Sequence, residues 1–396
     1  MDFAPWPYFE ADEIQAVVKV LKSGKVNQWT GNEIIDFEKE FARYMGVKHA
    51  IALANGSLAL DLALTAFDIG NKDEVIVTPR SFIASVSCVV LREAVPVFVD
   101  VDPVSQNMTL ETISHAVTSR TKAVIAVNLA GWPCELDKIQ KFCRQKNLVL
   151  IEDCAQSHGA AYKGQKAGSF GDCAVFSFCQ DKIMTTGGEG GMLVTNNTEL
   201  WERVWSYKDH GKNFDRVFSQ NHASGFRWLA GSFGTNCRMT EMQAAMGRIM
   251  LKKLDTWVEK RRQFAGLFNQ AFHDMPGLRT TIPDESIYHS YYKYSVFIDP
   301  GALKKTWDRD RVLEALNQKK IPCNAGICPE IYLEEAFKTC EYRLQGPGKD
   351  QTLSRLPIAK QLGETSMVFW VHPTLEMKSI LYVIDQVKII MEKAVR

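Results

Sequence analysis

No stretch of the sequence approaches the run of about 20 apolar residues that a membrane-spanning helix needs, so no membrane association is expected. An excess of one charge is missing too: 47 Lys and Arg stand against 46 Asp and Glu, a net charge of +1. That balance provides no basic footprint for nucleic acid or for an anionic membrane surface. A small anionic substrate stays open, because a local pocket charge need not show in the total. The N-terminus lacks a basic segment followed by an apolar core, so no secretion signal is expected and the cytoplasm is the expected compartment. The ten cysteines form no CxxC pair and read as reduced, mostly buried thiols. Cys173 and Cys179 have no matching His pair nearby, so no metal site is expected. Internal repeats and low-complexity tracts are absent as well.

What is present is an ordinary globular composition, 46% hydrophobic and 23% charged, over 396 residues. A chain that long exceeds what one hydrophobic core usually covers, so two lobes are expected. From about residue 46 to 200, short β-rich runs alternate with helical patterns. AIALA (50–54), EVIVT (74–78), VPVFVDV (95–101), KAVIAV (122–127), LVLIED (148–153), CAVFSF (173–178) and GMLVTN (191–196) read as seven strands. They are continuous apolar runs rather than alternating ones, which fits a sheet covered on both faces. Alternation with helices predicts an α/β fold with mostly parallel strands. Residues 240–272 read as one long helix, followed by a strand at 291–299 and helices at 308–320 and near the C-terminus. Segment 210–235 is long, polar and Gly-punctuated, which suggests a functional or interface loop.

Three segments carry chemistry. In SFCQDKIMTTGGEGG, Lys182 stands just beyond a strand and before glycines that let backbone approach a flat ligand. Alone, this is as well read as a Gly-rich hairpin with an exposed lysine; it is neither a Walker nor a Rossmann pattern. In LVLIEDCAQSHGA, Asp153 falls at the carboxyl end of a strand, where open α/β sheets bind ligands. A carboxylate there is often structural, yet a cofactor with a basic ring nitrogen needs one to stay charged. Gln156 and His158 follow on the same turn, His158 being read as a packing residue. In ANGSLAL, Asn55-Gly56-Ser57 opens a helix, with Ser57 as its cap and the N–H groups as an anion site.

These three segments, in this order, resemble the fold-type-I sugar aminotransferases of the DegT/DnrJ/StrS group. The likeness extends nearly end to end, through SGKVNQWTGNEIIDFEKEFARYMGVKHAIALANGSLAL, DEVIVTPRSFIAS, VPVFVDVDP and NCRMTEMQAAMGRIMLKKLD. It implies a fold-type-I transferase: a large domain (1–245) with a mostly parallel seven-stranded sheet, then a linking helix and small α+β domain (246–396). It implies pyridoxal 5'-phosphate as cofactor and two catalytic residues. Lys182 would hold the cofactor as a Schiff base and move protons, and Asp153 would pair with the pyridine nitrogen. Gln156 would contact the ring or its hydroxyl, and Phe82 would stack on it. Gly56, Ser57 and Ser177 would bind the phosphate, together with Asn236 from a neighbouring subunit, which implies a homodimer with shared sites. L-Glutamate would be the amino donor and a nucleotide-linked keto-sugar the acceptor. Relatives that replace the lysine with histidine dehydrate sugars instead, so Lys182 favours transamination. A lyase or dehydratase on the same scaffold, or a non-catalytic binding protein, are the alternatives.

Two departures from the family pattern fall near the expected substrate: Thr235 where an aromatic residue is usual, and Ile327-Cys328 where many relatives carry a His-Tyr pair. Arg216, His222, Arg227 and Trp228 are candidates for gripping a nucleotide diphosphate or for lining an interface. Arg238 is a candidate for the donor carboxylate or for a structural ion pair. The expected reaction is amination at C-4 of a 4-keto-6-deoxyhexose, with C-3 second, for surface polysaccharide.

Overall fold

The computed structural model describes residues 1–218, 228–326, 330–345 and 354–396. All seven expected strands form and share one sheet, with an eighth beside them. In order across the sheet they are His49–Leu53, Gly191–Thr195, Cys173–Ser177, Val149–Asp153, Thr121–Val127, Glu74–Val77, Val95–Val99 and Arg343–Gln345. Only the pairings made by Gly191–Thr195 are antiparallel. The expected count of seven is thus corrected to eight. The extra strand is three residues long, too short to show an apolar run, and comes from far downstream to pair with Val97, Phe98 and Val99.

Burial explains why the strands read as continuous apolar runs. Side chains alternate between faces, but both faces are dry. Val75 and Val77 enter one core with Ile125, Ile151 and Val175. Ile76 enters another with Val97, Val124 and Leu150. Ala174, Phe176, Met192 and Val194 enter a third with Phe37 and Phe41. Helices Gly56–Ala66, Ala84–Leu91 and Leu136–Lys146 stand between strands, where the sequence pattern predicts them.

The long helix is Glu241–Phe272, capped by Thr240, whose side chain accepts the Gln243 N–H. Its first half packs under the large sheet through Ala244, Met250, Leu254 and Val258. Its second half contributes Phe264, Phe268 and Phe272 to a separate core. That core lies against a four-stranded antiparallel sheet ordered Leu278–Thr280, Tyr294–Ile298, Ser366–Phe369 and Cys323–Asn324. Helices Arg309–Gln318 and Met377–Ala394 supply it with Val312, Leu316, Ile380 and Val387. Among the described residues no helix is long and apolar enough to cross a membrane.

Glu241 ties the long helix to the one at Glu33–Met45. Its buried carboxylate accepts the N–H of Glu33 at 2.6 Å and of Ile34 at 3.3 Å, two donors that a helix start leaves unpaired. Glu241→Ala should therefore lower the unfolding free energy by about 1–3 kcal/mol. The check is the urea midpoint, which should fall at unchanged slope; an unmoved midpoint would show that these donors find other partners.

Candidate active site

A cavity of about 650 Å³ opens at the carboxyl ends of the strands Val149–Asp153 and Cys173–Ser177. Gly56, Ser57, Phe82, Asp153, Gln156, Ser177 and Lys182 all line it. Strand Cys173–Ser177 delivers Ser177 at its last position and Lys182 on the turn that follows. Strand Val149–Asp153 delivers Asp153 at its end, 4% exposed. Gly56 and Ser57 are the first residues of their helix. The expected cap is corrected here: Asn55, not Ser57, accepts the Leu58 N–H, at 2.9 Å. The strand before it ends at Leu53 and the helix starts at Gly56, two residues earlier than the Ser57 reading requires. Gly56 has no room for a side chain, since a Cβ there would lie 2.8 Å from Ser177 Cβ.

The Asp153 carboxylate accepts from Ser85 Oγ at 2.7 Å and from the Ala155 N–H at 3.0 Å. Burial pushes its proton affinity up; these two bonds and the charge of Lys182 oppose that. Gln156, which lines the cavity, accepts the Ala130 N–H through Oε1 at 2.9 Å, which leaves its amide NH₂ as the group with donors to offer. Lys182 Nζ lies 3.7 Å from Asp181 Oδ1 and 5.0 Å from the centre of the Tyr292 ring. The Tyr292 hydroxyl donates to Asp181 Oδ2. Burial alone would raise the Asp181 carboxyl, but Lys182, Tyr292 and Lys293 hold it below its ordinary value. Phe82 stands at the cavity wall with its ring 60% exposed.

Other expected residues stand elsewhere. Asn236 is exposed and does not line this cavity; its side chain accepts the Arg238 N–H at 3.3 Å. Arg238 is engaged by the fully buried Asp209 at 2.7 Å, the structural ion pair of its two readings. His158 is buried behind the site against Phe176 and Phe178. Burial, Lys182 and Arg261 push its pKa down to about 3, so it is a neutral packing residue. Arg216 and Trp228 are exposed. His222, Arg227, Ile327 and Cys328 lie outside the described residues. Sequence reading missed Ser85, Asp181, Tyr292 and Lys293, which reach the cavity from outside the motifs or beside their central residues. It also missed Trp6, whose indole N–H donates to the Lys182 carbonyl at 2.9 Å.

One end of the cavity thus holds a buried carboxylate that, among the described residues, lacks a cationic partner in bonding distance. The other is a helix start with two serines and a glycine approached too closely for any side chain. A primary amine stands at the same cavity wall. A protonated ring nitrogen and a phosphate would complete these two ends, so the residues present fit pyridoxal phosphate. Fold and site together define a fold-type-I enzyme that uses this cofactor.

Comparison with known proteins agrees. Residues 7–388 match the model of the DegT/DnrJ/EryC1/StrS aminotransferase family, and the chain belongs to that family. An aminotransferase from Psychrobacter cryohalolentis has a similar structure, 48% identical with a TM-score of 0.94 over 99% of each chain. The dTDP-3-amino-3,6-dideoxy-alpha-D-galactopyranose transaminase of Aneurinibacillus thermoaerophilus is 40% identical over 83% of this chain and 86% of its own. The GDP-perosamine synthase of Caulobacter vibrioides is 38% identical over 78% of this chain and 80% of its own. The protein is a pyridoxal-phosphate-dependent aminotransferase.

The close approach at Gly56 is directly testable. Gly56→Ala forces its new methyl against Ser177 and should cost about 1–3 kcal/mol of stability. Cofactor retention on gel filtration should fall with it. A variant with the parent's urea midpoint and full retention would mean the helix start shifts freely.

Proposed function

We propose that this aminotransferase moves the amino group of L-glutamate to a nucleotide-linked keto-deoxy sugar, in the making of surface polysaccharide. C-4 of a 4-keto-6-deoxyhexose is the first choice of acceptor position. C-3 is the second, and the Aneurinibacillus relative is named for an amino group there. The observation that carries the reading is the amine of Lys182 in one cavity with the Asp153 carboxylate and the Gly56–Ser57 helix start. Both relatives are named for nucleotide-linked amino sugars, which supports the substrate class.

Pyridoxal phosphate supplies an aldehyde that condenses with amines and a cationic ring that accepts negative charge from the neighbouring carbon. Lys182 would hold it through its amine and, when that amine is free, would carry the proton between the substrate carbon and the neighbouring cofactor carbon, one way for the donor and the reverse way for the acceptor. Asp153, steadied by Ser85, keeps the ring nitrogen protonated. Gln156 offers its amide NH₂ to the ring or its hydroxyl, and Phe82 covers one ring face. Gly56, Ser57 and Ser177 hold the phosphate.

Asn236 serves the phosphate of a second copy's site, which makes the working enzyme a homodimer. Its exposure outside its own cavity supports this. So do Trp228 and Phe233, 89% and 99% exposed in the same stretch, since large apolar side chains left bare mark interfaces.

The first test is the visible spectrum. Protein incubated with pyridoxal phosphate should show a yellow band that L-glutamate bleaches. Lys182→Ala should lose that band and all turnover while keeping its fold by circular dichroism. A variant that retains full activity would remove Lys182 from the mechanism. For the dimer, mixed subunits of inactive Lys182→Ala and Asn236→Ala should regain part of the activity. Equimolar mixtures as inactive as their components would refute shared sites.

A further inference from the structure

The cavity contains a second lysine. Lys293 stands immediately before the strand Tyr294–Ile298 and lines the cavity with Lys182, Asp181 and Tyr292. It is half-buried, and among the described residues it makes no hydrogen bond and no ion pair; its ammonium lies over aromatic rings, 4.9 Å from the centre of Tyr292 and 5.9 Å from that of Trp370. Burial, with help from Arg261 and Lys182 and against the pull of Asp181, holds its proton affinity below the ordinary lysine value. A cation kept partly from water without a bonded anion is costly, and an arriving anion relieves that cost.

Of the other charges that line the site, Glu189 is an exposed acid and the two aspartates are committed to other groups. Asp153 is bonded to Ser85 and Ala155, and Asp181 faces Lys182 and the Tyr292 hydroxyl. Arg238, the sequence's candidate for the donor carboxylate, is bound to Asp209 outside the cavity. From these positions we propose that Lys293 is the counter-ion for a carboxylate of the amino donor, an assignment that rests on the aminotransferase reading with glutamate as donor.

Position selects the donor over the sugar nucleotide. Lys182 and Lys293 sit 5.0 and 4.9 Å from the centre of the same Tyr292 ring and line the same cavity, so an anion held by Lys293 shares that cavity with the reacting nitrogen. An amino acid carries one carboxylate a single carbon from its amine, and glutamate carries a second at the end of a short chain. The charges of a 4-keto sugar nucleotide lie across the hexose from the carbon that reacts.

The test compares Lys293→Met and Lys293→Arg holoenzymes with the parent, with Lys293→Gln in place of the first if it fails to take up cofactor. Three quantities are measured: the L-glutamate concentration that half-saturates bleaching of the yellow band, the dissociation constant of unreactive glutarate, and half-saturation by the keto-sugar from the aminated enzyme. Removing the charge should raise the first two about tenfold. Arginine should restore most of that, and the keto-sugar value should hold steady. L-Glutamine distinguishes the two carboxylates: weakened saturation by both donors assigns the α-carboxylate, and by glutamate alone the distal one. Saturation of the Met variant at parental donor concentrations, or a weakened keto-sugar in its place, overturns the assignment. A parent enzyme that ignores glutamate overturns the donor reading and this assignment together. A responsive parent matched by its variant overturns the assignment alone.

Discussion

A sheet covered on both faces admits a polar side chain only where the surrounding backbone satisfies it or where a strand ends, and this constraint locates the chemistry. Glu152 and Asp153 are consecutive, so they point to opposite faces. Glu152, fully buried, accepts the N–H groups of Gly168 at 2.7 Å and of Phe170 and Gly171 at 2.8 Å. It is closed off by protein and serves the fold. Asp153, one residue on, meets a hydroxyl and one N–H and opens to the cavity. Neighbouring carboxylates of almost equal burial therefore differ in role because one lies over a loop of backbone donors and the other over the mouth of the sheet.

The same constraint explains how much was legible in the sequence. Asp153, Ser177 and the Gly56 helix start all follow strands that read plainly as apolar runs. The rule that ligands bind at carboxyl ends then gathers them without knowledge of any contact. Lys182 is legible for the same reason, on the turn after Cys173–Ser177. Tyr292 and Lys293 were not legible. They precede a strand of the smaller sheet, and no local pattern in YYKYSVFID tells that its first residues face the cavity of the larger one. Arg343–Gln345 was hidden by its brevity. Asn55 and Ser57 are both good caps, so the choice between them needed the end of the preceding strand. Arg238 was ambiguous until Asp209 was seen to be buried beside it.

Charge around the catalytic amine follows from packing as much as from sequence. His158 belongs to the same turn as Asp153 and, charged, would repel Lys182. Its place between Phe176 and Phe178 keeps it neutral across the physiological range. Among the described residues, the charged groups that line the cavity with the amine are Asp181 beside it, Asp153, Glu189 and Lys293. That arrangement pairs one acid, Asp181, with the free amine.

The N-terminal segment closes the arrangement from behind. Trp6 packs edge-on against Trp257 with centres 5.3 Å apart and stacks near His372, while its N–H holds the Lys182 carbonyl. The Arg261 guanidinium lies 5.2 Å from the Trp6 ring and donates to the Tyr292 carbonyl at 3.2 Å. With no acid bonded to it, burial drives the proton affinity of Arg261 down to about 9. Trp257 lies at the end of the stretch of the long helix that packs the large sheet, and Arg261 lies between that stretch and the one that packs the small sheet. The backbone of the catalytic lysine is thus bonded by a residue that reaches it from the chain's start, braced on a helix that enters both cores. Tyr292, two residues before the strand Tyr294–Ile298, meets the same lysine from the other side, its ring 5.0 Å from the ammonium and its hydroxyl donating to Asp181, so Lys182 is held both by the chain's start and by the segment that enters the smaller sheet.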